Sequence, residues 1–182
     1  MCIRDRAKVR QTVPDARLIL IGDGEDPEDR ALIEAAIKEH DLADAVELTG
    51  MLPMNQALER TATAAVCLSP FYPTPILLST SPTKISEYFA LARPVVANEH
   101  PEQSLVLAES GGGLCVSWSA DAFAAAIVEL LSEPQRAEAM GSAGRDWVAK
   151  NRTYDHIANR MVAPHYQRLL STSDGGSDDG SD

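Results

Sequence analysis

Apolar runs of a few residues recur along this chain, each bounded by turn residues and each followed by a helical pattern. That alternation restricts the chain to a parallel sheet. Leu18-Ile19-Leu20-Ile21 runs into Gly22-Asp23-Gly24, and Val46-Glu47-Leu48 is closed by Gly50. Ala64 to Leu68 is the next run, followed by Val95-Val96-Ala97 after Pro94. Leu114-Cys115-Val116 follows Gly111-Gly112-Gly113. Continuous rather than alternating apolar residues mark strands covered on both faces. Helical patterns lie between them: from Pro27, with Leu32, Ile33, Ala36 and Ile37 on one face; from Asn55 to Thr61; from Ser81 to about Ala92; and from Pro101 to Ser110. Parallel neighbours need crossovers, which are right-handed and carry their helices to the sheet faces. The fold class expected is α/β, a Rossmann-like parallel sheet with helices on both faces and further helices at the carboxyl end. Ser119 caps the first of these, with Phe123, Ile127, Leu130 and Leu131 on one face. Pro134 opens the second, with Met140, Ala143 and Trp147 directed inward. The third runs from about Tyr154 to Leu170 and contains Pro164, which must kink or break it.

Three stretches are expected. Residues 1–6, Met1-Cys2-Ile3-Arg4-Asp5-Arg6, have neither the apolar centre nor the cleavage site of a signal peptide. They resemble a read-through prefix at the start of an assembled fragment, so they are read as non-native and set apart from the fold. Residues 7–170 form one domain. Residues 171–182 form an acidic Gly/Ser/Asp tail that cannot bury apolar area and is expected to be disordered. A net charge of −11 argues against a nucleic-acid partner. No apolar run approaches the roughly 20 residues of a membrane span. Cys2, Cys67 and Cys115 are scattered and odd in number, with no metal-ligand spacing. Cys67 and Cys115 read as buried free thiols of a reducing, cytoplasmic compartment. Trp118 and Trp147 read as core. His100, between Glu99 and Glu102, reads as part of a helix start rather than a metal ligand.

The chemistry concentrates at residues 81–98. Ser81 is expected to cap a helix, with Pro82 and Thr83 in its first turn. A helix start offers free N–H groups and a positive dipole end to an anion. Lys84 adds a cation there, and Glu87 lies one turn on, on the same face. A cation for phosphate and a carboxylate that accepts from hydroxyls suit a sugar nucleotide. The long loop from Ser69 to Ser81, with Pro70-Phe71-Tyr72-Pro73-Thr74-Pro75, precedes this helix at the carboxyl edge of the sheet. Ligands of open parallel sheets bind on that edge. Gly22, Asp23 and Gly24 reach the same edge, where glycine lets backbone approach a ligand.

The order of these pieces carries a resemblance. Leu18–Gly24 and Val46–Gly50 come first. Then Pro82-x-Lys84-x-x-Glu87-Tyr88-x-Ala90 leads to Pro94-Val95-Val96, and Gly113-Leu114-Cys115-Val116 and Met140-Gly141 follow. Over about residues 7–170 this resembles the carboxyl-terminal, donor-binding domain of GT-B retaining glycosyltransferases, glycosyltransferase family 4. The resemblance implies two Rossmann-like domains facing across a cleft, the second holding a nucleotide diphosphate sugar without a metal ion or other cofactor. It implies that Glu87 binds the donor ribose, that Lys84 meets phosphate, and that backbone near Gly50 receives the base. The family's paired glutamates would place the other carboxylate at position 79, where Ser79 stands. The family's glycine before the Pro-Val-Val strand is replaced by Ala92-Arg93. The early Arg and Lys that the family sets against the diphosphate have no match. An acceptor domain is expected upstream, with the last helix crossing back to it and Pro164 as its kink. The stretch alone is then expected to bind donor weakly and transfer little sugar. Glycan or glycolipid synthesis, with peripheral contact at the inner membrane face, is the role the resemblance suggests. The alternatives are a non-enzymatic α/β module that binds nucleotide or a partner, and a sugar-nucleotide 2-epimerase.

Overall fold

The computed structural model describes residues 2–24 and 26–173. Helix α1 (Cys2–Thr12) leads to strand β1 (Leu18–Leu20), helix α2 (Pro27–Glu39) and strand β2 (Val46–Leu48). Helix α3 (Met54–Ala62), strand β3 (Cys67–Ser69) and two short helices, α4 (Pro75–Leu78) and α5 (Lys84–Ala90), follow. Strand β4 (Val95–Asn98), helix α6 (Pro101–Ser110) and strand β5 (Gly113–Val116) complete the alternation. Helices α7 (Ala120–Ser132) and α8 (Pro134–Asn151) then close the domain.

All strand pairs are parallel: β1 with β2, β3 with β4, and β4 with β5. The expected single sheet is divided, with β1–β2 forming one part and β3–β4–β5 the other. Strand β4 is buried along its whole length, as its apolar run predicts. Val96 faces a cluster with Val9 of α1 and Phe123, Ile127 and Leu130 of α7. Val95 and Ala97 face the other side, against Ile85 and Phe89 of α5 and Val106 and Leu107 of α6. This alternation is the period of a strand with helices on both faces. A third cluster joins Ile3, Leu18, Leu42 and Ala45, with Ile33, Ala36 and Ile37 of α2 packed on it; Leu32 points away and is exposed.

Residues set apart from the fold on sequence grounds form the first turns of α1. Ile3 is core, and the charged Asp5 and Arg6 are buried. The helical pattern from Ser81 is corrected: α5 begins at Lys84 and ends at Ala90, and its N-cap, Thr83, makes no side-chain cap bond. Ser81 lies ahead of the helix and is exposed, so it caps nothing. The loop after Ser69 is interrupted by α4, which Thr74 caps by accepting from the Leu77 N–H at 3.3 Å. Cys67 is buried, but Cys115 is exposed. Trp147 packs against the second core cluster and Trp118 edges Tyr72; both are half-buried rather than core.

Helix α8 turns a different face inward from the one expected. Ala137, Gly141 and Gly144 are buried, Met140 and Trp147 are half-buried, and Ala143 is exposed. A Cβ on Gly141 would overlap the Ala92 carbonyl, and one on Gly144 would meet the Phe89 ring. The close crossing of α8 over the end of α5 therefore selects glycines, not large apolar residues. The backbone at Ala92 is left-handed, with φ 53°, the position where the resemblance expects glycine. A Cβ in that region costs about 1–2 kcal/mol, part of which glycine returns as unfolded-chain entropy. Ala92→Gly is expected to add about 0.5–1 kcal/mol of stability by chemical denaturation; a loss would contradict the strain.

The last helix does not break at Pro164. After a turn at Tyr154–His156 it widens into a π-helical stretch, Ile157–Val162, and continues as Ala163–Ser173. A wide turn re-routes the backbone bonds that proline cannot make. Residues 171–173 belong to that helix, and the rest of the acidic tail lies outside the described residues.

Candidate functional site

Loops at the carboxyl ends of the strands gather the candidate residues into two groups, one on each part of the sheet. On the β1–β2 part, the Gly22 N–H donates to the Gly50 carbonyl at 3.1 Å, joining the two turns. Both glycines have positive φ, 119° and 65°. Asp23 lies against Gly50, accepts from the Gly24 N–H at 3.1 Å and pairs with Arg30 at 3.3 Å. Gly22, Asp23, Gly24 and Gly50 are thus one rim.

On the β3–β4–β5 part, Lys84 starts α5 and is exposed. Its Nζ lies 4.9 Å from the centroid of the Phe71 ring, a cation–π contact. Among the described residues Lys84 forms no ion pair. Glu87 is exposed one turn on, likewise unpaired, and its N–H bonds the Thr83 carbonyl at 3.2 Å. The first-turn N–H groups have no acceptor within the helix. Tyr88 and Cys67 lie beneath. Burial pushes the Cys67 thiol up to about 12 and the Tyr88 hydroxyl well above its ordinary range, so both stay neutral. Ser79 is spent locally: it ends α4 and donates to the Ile76 carbonyl at 2.7 Å.

Sequence reasoning missed what holds the loop in place. Asn98, fully buried at the end of β4, accepts from the Phe71 N–H at 2.6 Å and donates to the Phe71 and Glu99 carbonyls at 2.9 and 3.0 Å. Gln103 donates to the Asn98 carbonyl at 3.0 Å and accepts from the Ser69 hydroxyl at 2.5 Å. His100 caps α6, its Nδ1 accepting from the Gln103 N–H, so its Nε2–H donates to the Leu77 carbonyl at 2.8 Å. The network ties the loop before α5 to β4 and α6 and so fixes Phe71 under Lys84. The signal is in the sequence: a polar residue, Asn98, closing an otherwise apolar strand. Among the described residues, no three His, Cys, Asp or Glu side chains come together as a metal site, and no helix is long and apolar enough to cross a membrane.

The architecture is that of the carboxyl-terminal, Rossmann-like domain of GT-B glycosyltransferases. The chain belongs to the glycosyl transferases group 1 family, whose profile matches residues 1–133. It is 31% identical over 156 residues to the GDP-mannose-dependent alpha-(1-6)-phosphatidylinositol monomannoside mannosyltransferase of Mycolicibacterium smegmatis, an alignment covering 83% of this chain and 40% of that protein. Its fold matches the sucrose-phosphate synthase of Thermosynechococcus elongatus with a TM-score of 0.74 at 24% identity, over 93% of this chain and 42% of the other. It also matches Anabaena HepE in complex with UDP-glucose, with a TM-score of 0.75 at 16% identity, over 94% of this chain and 45% of that one. The chain therefore spans less than half the length of each of these proteins.

Proposed function

We propose that this chain is the donor-binding half of a retaining glycosyltransferase that moves a sugar from a nucleoside diphosphate sugar to an acceptor, in glycan or glycolipid synthesis. One observation carries the assignment of the site: Lys84, an exposed cation on the carboxyl edge of the sheet, forms no ion pair among the described residues of a chain of net charge −11. Two kinds of relative support the substrate class, one GDP-mannose-dependent by name and one bound to UDP-glucose. In this reading Lys84 and the first-turn amides of α5 take the diphosphate, and Ser81 and Thr83 flank it. Glu87 accepts from the ribose hydroxyls, and the rim of Gly22, Asp23, Gly24 and Gly50 borders the base. Sugar transfer leaves negative charge on the departing diphosphate, so a prepositioned ammonium and backbone dipoles lower the barrier. This reading asks for no metal at that step. The acceptor is held by a second domain, so residues 1–182 alone bind donor weakly and transfer little. The cytoplasm, at or near the inner membrane face, is the compartment the reading assigns.

Calorimetric titration with GDP-mannose and UDP-glucose tests it. Lys84→Ala is expected to weaken binding of the preferred donor about tenfold or more, in line with a lost charge-assisted bond. Glu87→Ala is expected to act similarly on nucleotides with intact ribose. Unchanged affinity in both variants would remove the assignment, as robust transfer by the chain alone would remove the half-site reading.

A further inference from the structure

We propose that Tyr72 and Trp118 form an aromatic corner that holds the sugar of the donor, stacking on its apolar face while Glu99 accepts from its hydroxyls. The inference rests on the donor reading above and extends it to residues that reading does not use. Neither ring belongs to the core: Tyr72 is 62% exposed and Trp118 is half-buried. Their centroids lie 5.6 Å apart with the planes at 82°, so the rings meet at nearly a right angle and leave a corner between their faces.

The direction of the loop after β3 places that corner. Lys84 lies over the Phe71 ring at 4.9 Å, and Phe71 meets the His100 ring, past the end of β4, at 5.5 Å between centroids. Tyr72, the next residue, reaches Trp118, past the end of β5. The loop therefore crosses the carboxyl edge from β3 over β4 to β5, two strand spacings or about 10 Å. A nucleoside diphosphate sugar is extended, with the base at one end and the sugar at the other. With the base at the rim on β1–β2 and the diphosphate at Lys84, the sugar continues in the same sense, toward the ends of β4 and β5. Glu99 follows β4 there. It is exposed and forms no ion pair among the described residues. Its N–H donates to the Val116 carbonyl at 2.8 Å, which sets it beside the end of β5.

Both rings are held from behind. Asn98 bonds the N–H and the carbonyl of Phe71, and the Thr74 N–H donates to the Tyr72 carbonyl at 2.8 Å, closing a three-residue turn at Pro73. Trp118 sits in a turn of the same kind: the Ser119 N–H donates to the Ser117 carbonyl at 2.8 Å, and the Ser119 Oγ accepts from the Ala122 N–H at 3.0 Å at the start of α7. A fixed backbone under an exposed aromatic ring suits a binding surface, because little ordering remains to oppose the contact. The chemistry selects a sugar. One face of a pyranose is lined by C–H groups, which meet the negative face of an aromatic ring. Its hydroxyls need acceptors, and a carboxylate is a strong one.

Calorimetric titration of residues 1–182 compares UDP with UDP-glucose and GDP with GDP-mannose. In Tyr72→Ala the Kd of the nucleotide sugar, divided by the Kd of the free nucleotide, is expected to rise about three- to tenfold over the parent chain, the worth of one aromatic contact. The Kd of the free nucleotide should stay within about twofold of the parent value, well short of that rise. Tyr72→Phe keeps the ring and should keep the ratio, and Glu99→Ala should raise it. An unchanged ratio in Tyr72→Ala overturns the proposal; so does equal weakening of both ligands, which would put the ring's effect on the diphosphate. An unchanged ratio in Glu99→Ala overturns the part given to Glu99. Tryptophan emission is a second readout. The chain has two tryptophans, so Trp147→Phe leaves the signal to Trp118. Saturating nucleotide sugar should change that emission and free nucleotide should not; equal responses overturn the corner. Failure of the donor reading looks different: the parent chain binds no nucleotide, or Lys84→Ala leaves binding unchanged, and the corner loses its ligand with it.

Discussion

Replacing Asp5 with leucine is expected to stabilise this chain by about 3 kcal/mol at pH 7, and the gain is expected to shrink as the pH falls to 4. Asp5 is fully buried in α1, and neither carboxylate oxygen has a hydrogen-bond partner. Burial pushes its pKa from 3.8 to about 6, against the opposing charge of Arg6. A rise of that size corresponds to about 3 kcal/mol between the two protonation states. The direction follows from proton binding. Between pH 4 and 6 the folded chain holds a proton that the unfolded chain has released, so stability falls as pH rises through that window. Above about pH 6 the folded carboxylate is ionised and the full penalty applies; below about 4 both states are protonated and it vanishes. Leucine has no charge to desolvate, so Asp5→Leu should unfold about 6–12 °C higher at neutral pH. At pH 4 what remains is the smaller gain from apolar packing. Thermal unfolding of both proteins at pH 4, 5, 6 and 7 measures the difference. A constant gap across that range would show that the Asp5 carboxyl does not titrate there.

Asp5 also marks a limit of what the chain discloses. Val9 and Val13 give a weak helical pattern amid Lys, Arg and Gln, and the pattern does not distinguish an exposed helix from one lying against α7. Burial of Asp5 and Arg6 is a tertiary fact with no local signature. The strands were legible because their apolar runs are continuous, and α6 and α8 because each begins at a proline, Pro101 and Pro134. The start of α5 was misplaced because Pro82 fits a first turn as well as the turn before it, and hydrogen bonding decides between them. The inward face of α8 is not legible from apolar size, because the contact with Ala92 and Phe89 is set by the absent side chains of Gly141 and Gly144. The candidate site was legible in part. Lys84 and Glu87 share an exposed turn, and Gly22 meets Gly50. The division between these two groups was not, because strand order is a property of the assembled sheet. No sequence feature separates a β1 that pairs with β3 from one that pairs with β2 alone.

The polar network under the loop gives the other large expected effect. Asn98→Leu keeps the volume and the apolar surroundings but removes three hydrogen bonds, one accepted and two donated. At about 1 kcal/mol each the loss is about 3 kcal/mol. The core of β4 does not depend on that side chain, because its apolar residues face the two helical layers. The fold should therefore survive with a lower unfolding midpoint, and the damage should fall on the segment before α5. Phe71 would leave its place beneath Lys84, and the cation would lose the ring that holds it. Donor affinity should drop about tenfold although Asn98 touches no donor in the proposed site, a positioning effect. Exchange of the Phe71 amide separates this from general destabilisation. It should become fast in Asn98→Leu while the Val96 and Ala97 amides stay protected. A protected Phe71 amide, or unchanged donor affinity with an exposed one, would show that Phe71 and Lys84 are held by something other than Asn98. Gln103→Leu, which removes the bonds to the Asn98 carbonyl and the Ser69 hydroxyl, should reproduce part of the loss, because it loosens the anchor and leaves the Asn98–Phe71 pair intact.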